Sequence, residues 1–222
     1  MSRQDRYLAF SPGMLARLGE AGEAAYYKKG GYIFRDKFHV PSVFILLEGK
    51  AAICKNSASG GQRTIFILDA PTLLNEPGGQ NLAPSADCVA FNNCKVLAVD
   101  TKAFFDLMAG DFELTKVVID QITHKTRRMY RQLKNTMSTT KAEKRLAAKL
   151  WKLCRDYGKP AGTGTRIDIE LTNASLADLI GIRRETVSRA LKTLQDEGLI
   201  VYKKREIIVL NTDELSKYFK SM

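Results

Sequence analysis

The sequence predicts an α+β chain in three parts. Short strands forming a sandwich or barrel come first, one long helix follows, and a small helical unit with a two-stranded hairpin ends the chain. Three observations predict this. Up to about Ala109, short apolar runs alternate with turn residues. From Phe112 to Met137 no Pro or Gly interrupts a helical apolar period. From Leu171 to Leu210, two short helical stretches flank Gly181, and two β-like runs follow. The expected domain boundaries are 1–110, 111–137 and 138–222.

In the first part, Tyr32-Ile33-Phe34 follows the Gly30-Gly31 pair. Val43-Phe44-Ile45-Leu46-Leu47 ends at Glu48-Gly49-Lys50, and Ala51-Ala52-Ile53-Cys54 resumes. The cluster 57–62 is a turn before Thr64-Ile65-Phe66-Ile67-Leu68. Asp87-Cys88-Val89-Ala90-Phe91, an Asn92-Asn93 turn and Lys95-Val96-Leu97-Ala98-Val99 complete the strands. Pro and Gly stand between the runs, where a sheet tolerates them.

Thr101 to Met108 reads as a short helix capped by Thr101 or Asp100. In the long helix Leu114, Val118, Ile122, Met129, Leu133 and Met137 recur at spacings of three, four or seven, with Lys125 in the remaining position. Such a stripe reads as a seam for a second helix, because Lys116, Asp120, Arg127, Arg131 and Lys134 charge the other faces. The alternative is a helix lying on its own domain's core. After Ser138, a plausible cap, Leu146, Ala147, Leu150, Trp151, Leu153 and Cys154 give another helix its apolar face. Residues 157–164 read as a loop, and Arg166 to Leu171 as an alternating strand.

Thr172 can cap a helix from Ala174 to Ile180, and Gly181 supplies a tight turn. A second helix runs from Arg183 to about Glu197 and stops at Gly198. Leu199 to Tyr202 and Ile207 to Leu210 form a hairpin, the wing, around Lys203-Lys204-Arg205-Glu206. At about 100° per residue, Val187, Ala190, Leu191 and Leu194 fall on one side of the second helix. Arg184, Glu185, Ser188 and Arg189 fall on the other, in the N-terminal half, where a recognition helix meets base edges. Arg forks onto guanine and Glu accepts from cytosine. Lys203, Lys204 and Arg205 on the wing tip are placed to reach phosphates. A competing reading is a solvated face with a Glu185–Arg189 bridge at i,i+4.

The whole-chain charge agrees with a polyanionic partner: 35 Lys and Arg against 24 Asp and Glu leave a net +11. No segment is apolar for long enough to span a bilayer, and the start lacks a secretory h-region, so the expected location is cytoplasmic with no membrane partner. The four cysteines are scattered without a CxxC pair, and reduced structural thiols are expected.

The segment Gly181-Ile182, Arg184-Glu185-Thr186-Val187-Ser188-Arg189, Leu191, Leu194 and Glu197-Gly198-Leu199-Ile200 resembles the recognition helix of the CRP/FNR (cyclic-AMP receptor protein / fumarate-nitrate regulator) family of bacterial transcription regulators. Tyr27-Lys28-Lys29-Gly30 and Leu46-Leu47-Glu48-Gly49-Lys50 are similar to turns of that family's β-roll, a jelly roll of the cyclic-nucleotide-binding type. The Phe112–Met137 helix is similar to its dimerisation helix. The resemblance covers nearly the whole chain. It implies a homodimer on palindromic double-stranded DNA, with Arg184, Glu185 and Arg189 as base readers. Arg at 184, where another branch of the family has Val, implies a TGTGA-like half-site. Arg183 stands where a small cap is usual, so the helix start is shifted or touches phosphate. RNA polymerase would be a further partner of an activator.

The resemblance also implies a small-molecule effector in the roll, near Asn75, Glu76, Ser85, Tyr130 and Arg131. Cyclic-nucleotide members hold the phosphate with an Arg beside the Ser; here that position is Pro84, which has neither charge nor N–H. The effector is therefore expected not to be cyclic AMP, and an apolar pocket without Arg suits a weakly charged ligand. No cofactor is expected. An iron–sulfur cluster would need N-terminal cysteines, and none precedes Cys54. Haem would need an axial ligand, and only His39 and His124 exist. A metal-dependent, cupin-like enzyme needs clustered His and Glu, which two separated histidines do not supply, so no enzymatic activity is expected. A winged-helix module that binds protein instead of DNA would show no steep salt dependence.

Overall fold

The structure, a computed structural model, describes residues 9–56, 62–78, 82–136, 141–162, 164–203 and 205–220, with the side chains of 131–136 outside that description. The chain divides into two compact units. One comprises residues 1–55 and 65–137, the other 56–64 and 138–222.

The first unit is a two-sheet roll with helices on one side. It begins with α1 (Pro12–Glu20), which the sequence reading missed; Ser11 caps it and Pro12 opens it. The strands are β1 (Gly22–Tyr27), β2 (Tyr32–Phe34), β3 (Ser42–Glu48), β4 (Lys50–Asn56), β5 (Gln62–Asp69), β6 (Thr72–Leu73), β7 (Asp87–Ala90) and β8 (Cys94–Asp100). One sheet runs β1-β8-β3-β6 and the other β2-β7-β4-β5. Both β1 and β3 pair antiparallel with β8. β1 is largely exposed, which is why its residues carry no apolar run to read.

The uninterrupted apolar run of β3 has a reason. Phe44 and Leu46 point into the core between the sheets, with Phe34, Phe66 and Val96. Val43 and Ile45 point the other way, into a second core with Leu18, Leu97 and Phe104. A strand buried on both faces loses its alternation. Between β3 and β4, Gly49 has φ +83°, and a Cβ there would collide with the Asn93 carbonyl oxygen.

Helix α2 (Thr101–Gly110) is capped by Asp100, whose Oδ1 accepts from the amides of Lys102 and Ala103. Helix α3 (Phe112–Thr136) follows. Its Leu114, Val117 and Val118 are buried in the second core, with Ile122 packed beside them. The first half of the expected seam thus lies on its own domain, and the exposed apolar residues of α3 are instead Phe112, Ile119, Met129 and Tyr130.

The second unit holds α4 (Ala142–Tyr157), β9 (Gly158–Ala161), β10 (Gly164–Ile167), α5 (Asn173–Ile180), α6 (Arg184–Asp196), β11 (Ile200–Lys203), β12 (Glu206–Val209) and α7 (Thr212–Lys220). Its sheet runs β11-β12-β10-β9. The expected loop at 157–164 supplies β9, because Gly158 to Ala161 find a partner in β10. The expected strand to Leu171 ends at Ile167. Ser138, the expected cap of α4, lies outside the described residues, and Lys141 holds the cap position without a side-chain hydrogen bond. The unpredicted α7 is preceded by Asn211, whose Oδ1 accepts from the Asp213 and Glu214 amides, and Phe219 packs edge-on to Trp151 at 6.0 Å between ring centres.

Candidate functional site

Two places assemble the polar residues singled out in the sequence. The first is the face of α6. Helix α5 is held at its start by a capping box: Thr172 Oγ1 accepts from the Ser175 amide while Ser175 Oγ accepts from the Thr172 amide. At its end Gly181 turns the chain with φ +67°. Arg145 of α4 donates to the Ile180 carbonyl and satisfies the end of α5.

Val187, Ala190, Leu191 and Leu194 are buried, as the helical angle demands. Arg184, Glu185, Ser188 and Arg189 are exposed. Neither Glu185 nor Arg189 enters an ion pair among the described residues, so the bridge that would tie up this face is not formed. Arg183 is exposed in the N-cap position, where its guanidinium, having no acceptor, makes no capping hydrogen bond. Asp178 of α5 lies near Arg184. Burial pushes its carboxyl above the usual range, against the pull of that guanidinium.

Ser188 differs from its exposed neighbours. Its Oγ accepts from Asn173 Nδ2 at 2.7 Å and donates to the Arg184 carbonyl at 3.2 Å. On the wing, Lys203 and Arg205 are exposed, and Lys204 lies outside the described residues. Arg205 takes φ +67° at the turn, and its Nη1 donates to Glu170 Oε1 at 2.8 Å. That pair is half exposed and gives way readily to a competing phosphate.

The second place is the wall of the roll facing α3. Ser85 Oγ donates to Glu76 Oε1 at 3.3 Å, so these two predicted residues are brought together. Asn75 is not available with them. It is buried, Oδ1 accepting from the Phe44 amide at 2.8 Å and Nδ2 donating to the Ser42 carbonyl at 2.9 Å. Its amide is a clamp on β3. Pro84 is buried, and its carbonyl accepts from the Lys37 amide. Tyr130 is 68% exposed, and the side chain of Arg131 lies outside the described residues.

Sequence reasoning missed the cations of this wall. Lys125, expected in a helix seam, turns onto the roll and donates from Nζ to the Leu73 and Leu74 carbonyls at 2.6 and 3.3 Å. Burial pulls its ammonium down to about 8, opposed by the negative charge of Glu76. Arg128 stacks over the Phe66 ring at 4.8 Å. The wall therefore carries two cationic side chains, Lys125 held by carbonyls and Arg128 held over a ring. A lysine interrupting an apolar stripe was the available signal.

All four cysteines are buried and outside any disulfide, and burial raises the thiols of Cys88, Cys94 and Cys154, which keeps them protonated and poorly nucleophilic. Among the described residues, no cluster of three or more His, Cys, Asp or Glu side chains could hold a metal ion. No described helix is long and apolar enough to cross a membrane.

Comparison with known proteins bears on both places. Residues 144–218 match the Crp-like helix-turn-helix domain, and residues 24–111 match the cyclic nucleotide-binding domain. The global nitrogen regulator of Synechococcus elongatus is 26% identical over 196 residues, covering 87% of this chain and 88% of its own. The CRP-like cAMP-activated global transcriptional regulator of Mycobacterium tuberculosis is 20% identical over 218 residues, covering 98% and 97%. Among solved structures, the c-di-GMP responsive global regulator CLP of Xanthomonas campestris has a TM-score of 0.80 at 14% identity, covering 90% of this chain and 100% of its own. A CooA mutant from Carboxydothermus hydrogenoformans has a TM-score of 0.78 at 17% identity, covering 92% and 90%. At these identities the structural likeness is one of fold.

Proposed function

The chain belongs to the CRP/FNR family of transcription regulators, with a DNA-binding helix-turn-helix and a cyclic-nucleotide-binding-like domain, and from that premise we propose that it binds a palindromic site as a homodimer under the control of a small-molecule effector other than cyclic AMP. The observation that carries this proposal is the N-terminal half of α6, where Arg184, Glu185 and Arg189 stand exposed on a helix whose opposite side is buried. Arg184 and Arg189 each present a fork for guanine, and Glu185 an acceptor for cytosine. Each good bidentate pair contributes about 1–3 kcal/mol of discrimination. Arg183, Lys203 and Arg205 take phosphates and set register without reading sequence. Arg184 directs the protein to TGTGA-like arms. An activator of this design would also contact RNA polymerase.

For the effector, Pro84 stands where the family's cyclic-nucleotide members carry their phosphate-binding Arg, and the nearby Lys125 is committed to the Leu73 and Leu74 carbonyls, while Glu76 and Ser85 line the wall. A ligand held there shifts α3 and re-aims the two recognition helices, with a coupling of about 1–3 kcal/mol.

Selection of bound sequences from random DNA, with wild type and Arg184→Ala, tests the DNA half. A palindrome with TGTGA-like arms is expected, and the variant should lose preference at one position per arm. Enrichment of no sequence, with and without candidate effectors, overturns it. Micromolar binding of cyclic AMP in calorimetry overturns the effector half.

A further inference from the structure

We propose that Tyr202, Asn173 and Ser188 form a hydrogen-bonded relay that fixes the recognition helix to the wing, and that Ser188 is a positioning residue instead of a base reader. The relay links three successive elements, α5, α6 and β11, through side chains 15 and 29 residues apart. Tyr202 on β11 donates from its hydroxyl to Asn173 Oδ1 at 3.0 Å. Asn173, the first residue of α5, donates from Nδ2 to Ser188 Oγ at 2.7 Å. Ser188, in the middle of the exposed face of α6, donates to the Arg184 carbonyl at 3.2 Å. Each member donates into the next, so the chain of donors runs in one direction from the wing to the first turn of α6.

Two features give the relay weight. First, it is short of competitors. The Tyr202 ring is part-buried, and its other acceptor, the Leu171 carbonyl, lies farther off at 3.4 Å. Burial raises the phenol above its ordinary value and keeps its proton in place. Second, the hydroxyl proton of Ser188 is already committed to the helix's own backbone. The readers Arg184, Glu185 and Arg189 lie on either side of Ser188, while Lys203 adjoins Tyr202 on the wing. Base contacts and phosphate contacts thereby belong to one surface whose internal spacing the relay sets. Misplacing one set relative to the other weakens every site alike, because no base identity is involved. The positioning role rests on the DNA-binding reading above; the mechanical linkage does not.

Hydrogen exchange on the full chain without DNA therefore comes first. Tyr202→Phe removes one hydroxyl and should speed amide exchange at residues 184–189 about fivefold, with Ser188→Ala doing the same at 200–209. Coupling between two positions is mutual, so both effects must appear. Ser188→Thr keeps the hydroxyl and should restore the slow rates, and Tyr202→Phe added to Ser188→Ala should have little further effect. Unchanged wing exchange in Ser188→Ala, or a Thr variant that behaves as the Ala variant, overturns the relay. In the selection from random DNA, Ser188→Ala should enrich the wild-type motif with affinity lowered about fivefold. Loss of preference at one base per arm would make Ser188 a reader and sink the proposal. If wild type enriches nothing, the DNA-binding reading fails, and the exchange measurement alone decides the relay.

Discussion

Lys125 shows how one residue changes meaning between sequence and structure. In the linear pattern it fills a gap in an apolar stripe, which suggests a tolerated polar residue at a helix seam. In the fold its ammonium is committed to two carbonyls of the roll. Burial holds its folded value near 8, against an ordinary 10.5. Between those values the unfolded chain keeps a proton that the folded protein has released. Stability contributed by this group therefore rises with pH across that window. Thermal unfolding of wild type and Lys125→Met at pH 7 and pH 9.5 checks it. Wild type should gain on the variant at the higher pH, and a constant difference between the two would contradict the assignment. Asn75 teaches the same lesson: its place near Glu76 suggested ligand contact, and its amide turned out to be satisfied by backbone.

At the scale of the element, α3 has two apolar faces with different duties. Leu114, Val117 and Val118 are taken by the roll. Ile119 and Tyr130, 54% and 68% exposed, are eleven residues apart, about three turns, and so share a face with Thr123 and Thr126. This face, and not the Leu114–Val118 stripe, is the one we assign to the partner helix of the proposed homodimer. Ile119→Glu should convert a dimer to a monomer in sedimentation while leaving the roll folded, because the side chain is outside its core. Val118→Glu, one residue away but buried, should instead unfold the first unit, since an unpaired charge would enter the second core. Dimers that survive Ile119→Glu would place the seam elsewhere.

For the whole molecule, the net charge of +11 becomes a statement about DNA once the exposed cations are located. On the proposed dimer, Arg183, Lys203 and Arg205 of each protomer would make about six phosphate contacts, and binding should weaken about 10³-fold between 50 and 200 mM salt. Arg183→Ala should flatten that salt dependence while leaving the preferred sequence as it was. Fluorescence anisotropy across a salt series measures both, and binding indifferent to salt would exclude a phosphate-led interface.

What the sequence determined by itself is local in its physics. The Gly181 turn, the Thr172 cap and the buried side of α6 follow from a few adjacent residues, and each stands where the pattern put it. The family resemblance was legible for the same reason, since the motif around Arg184 to Arg189 is contiguous. Tertiary structure decided whatever depends on partners distant in the chain. Lys125 leaves the seam because the Leu73 and Leu74 carbonyls are within its reach, and Ser188 is tied to Tyr202 through Asn173 across three elements. A side chain's propensity and its angle on a helix are set by near neighbours; the partner that finally satisfies its polar atoms is chosen only when the chain closes on itself.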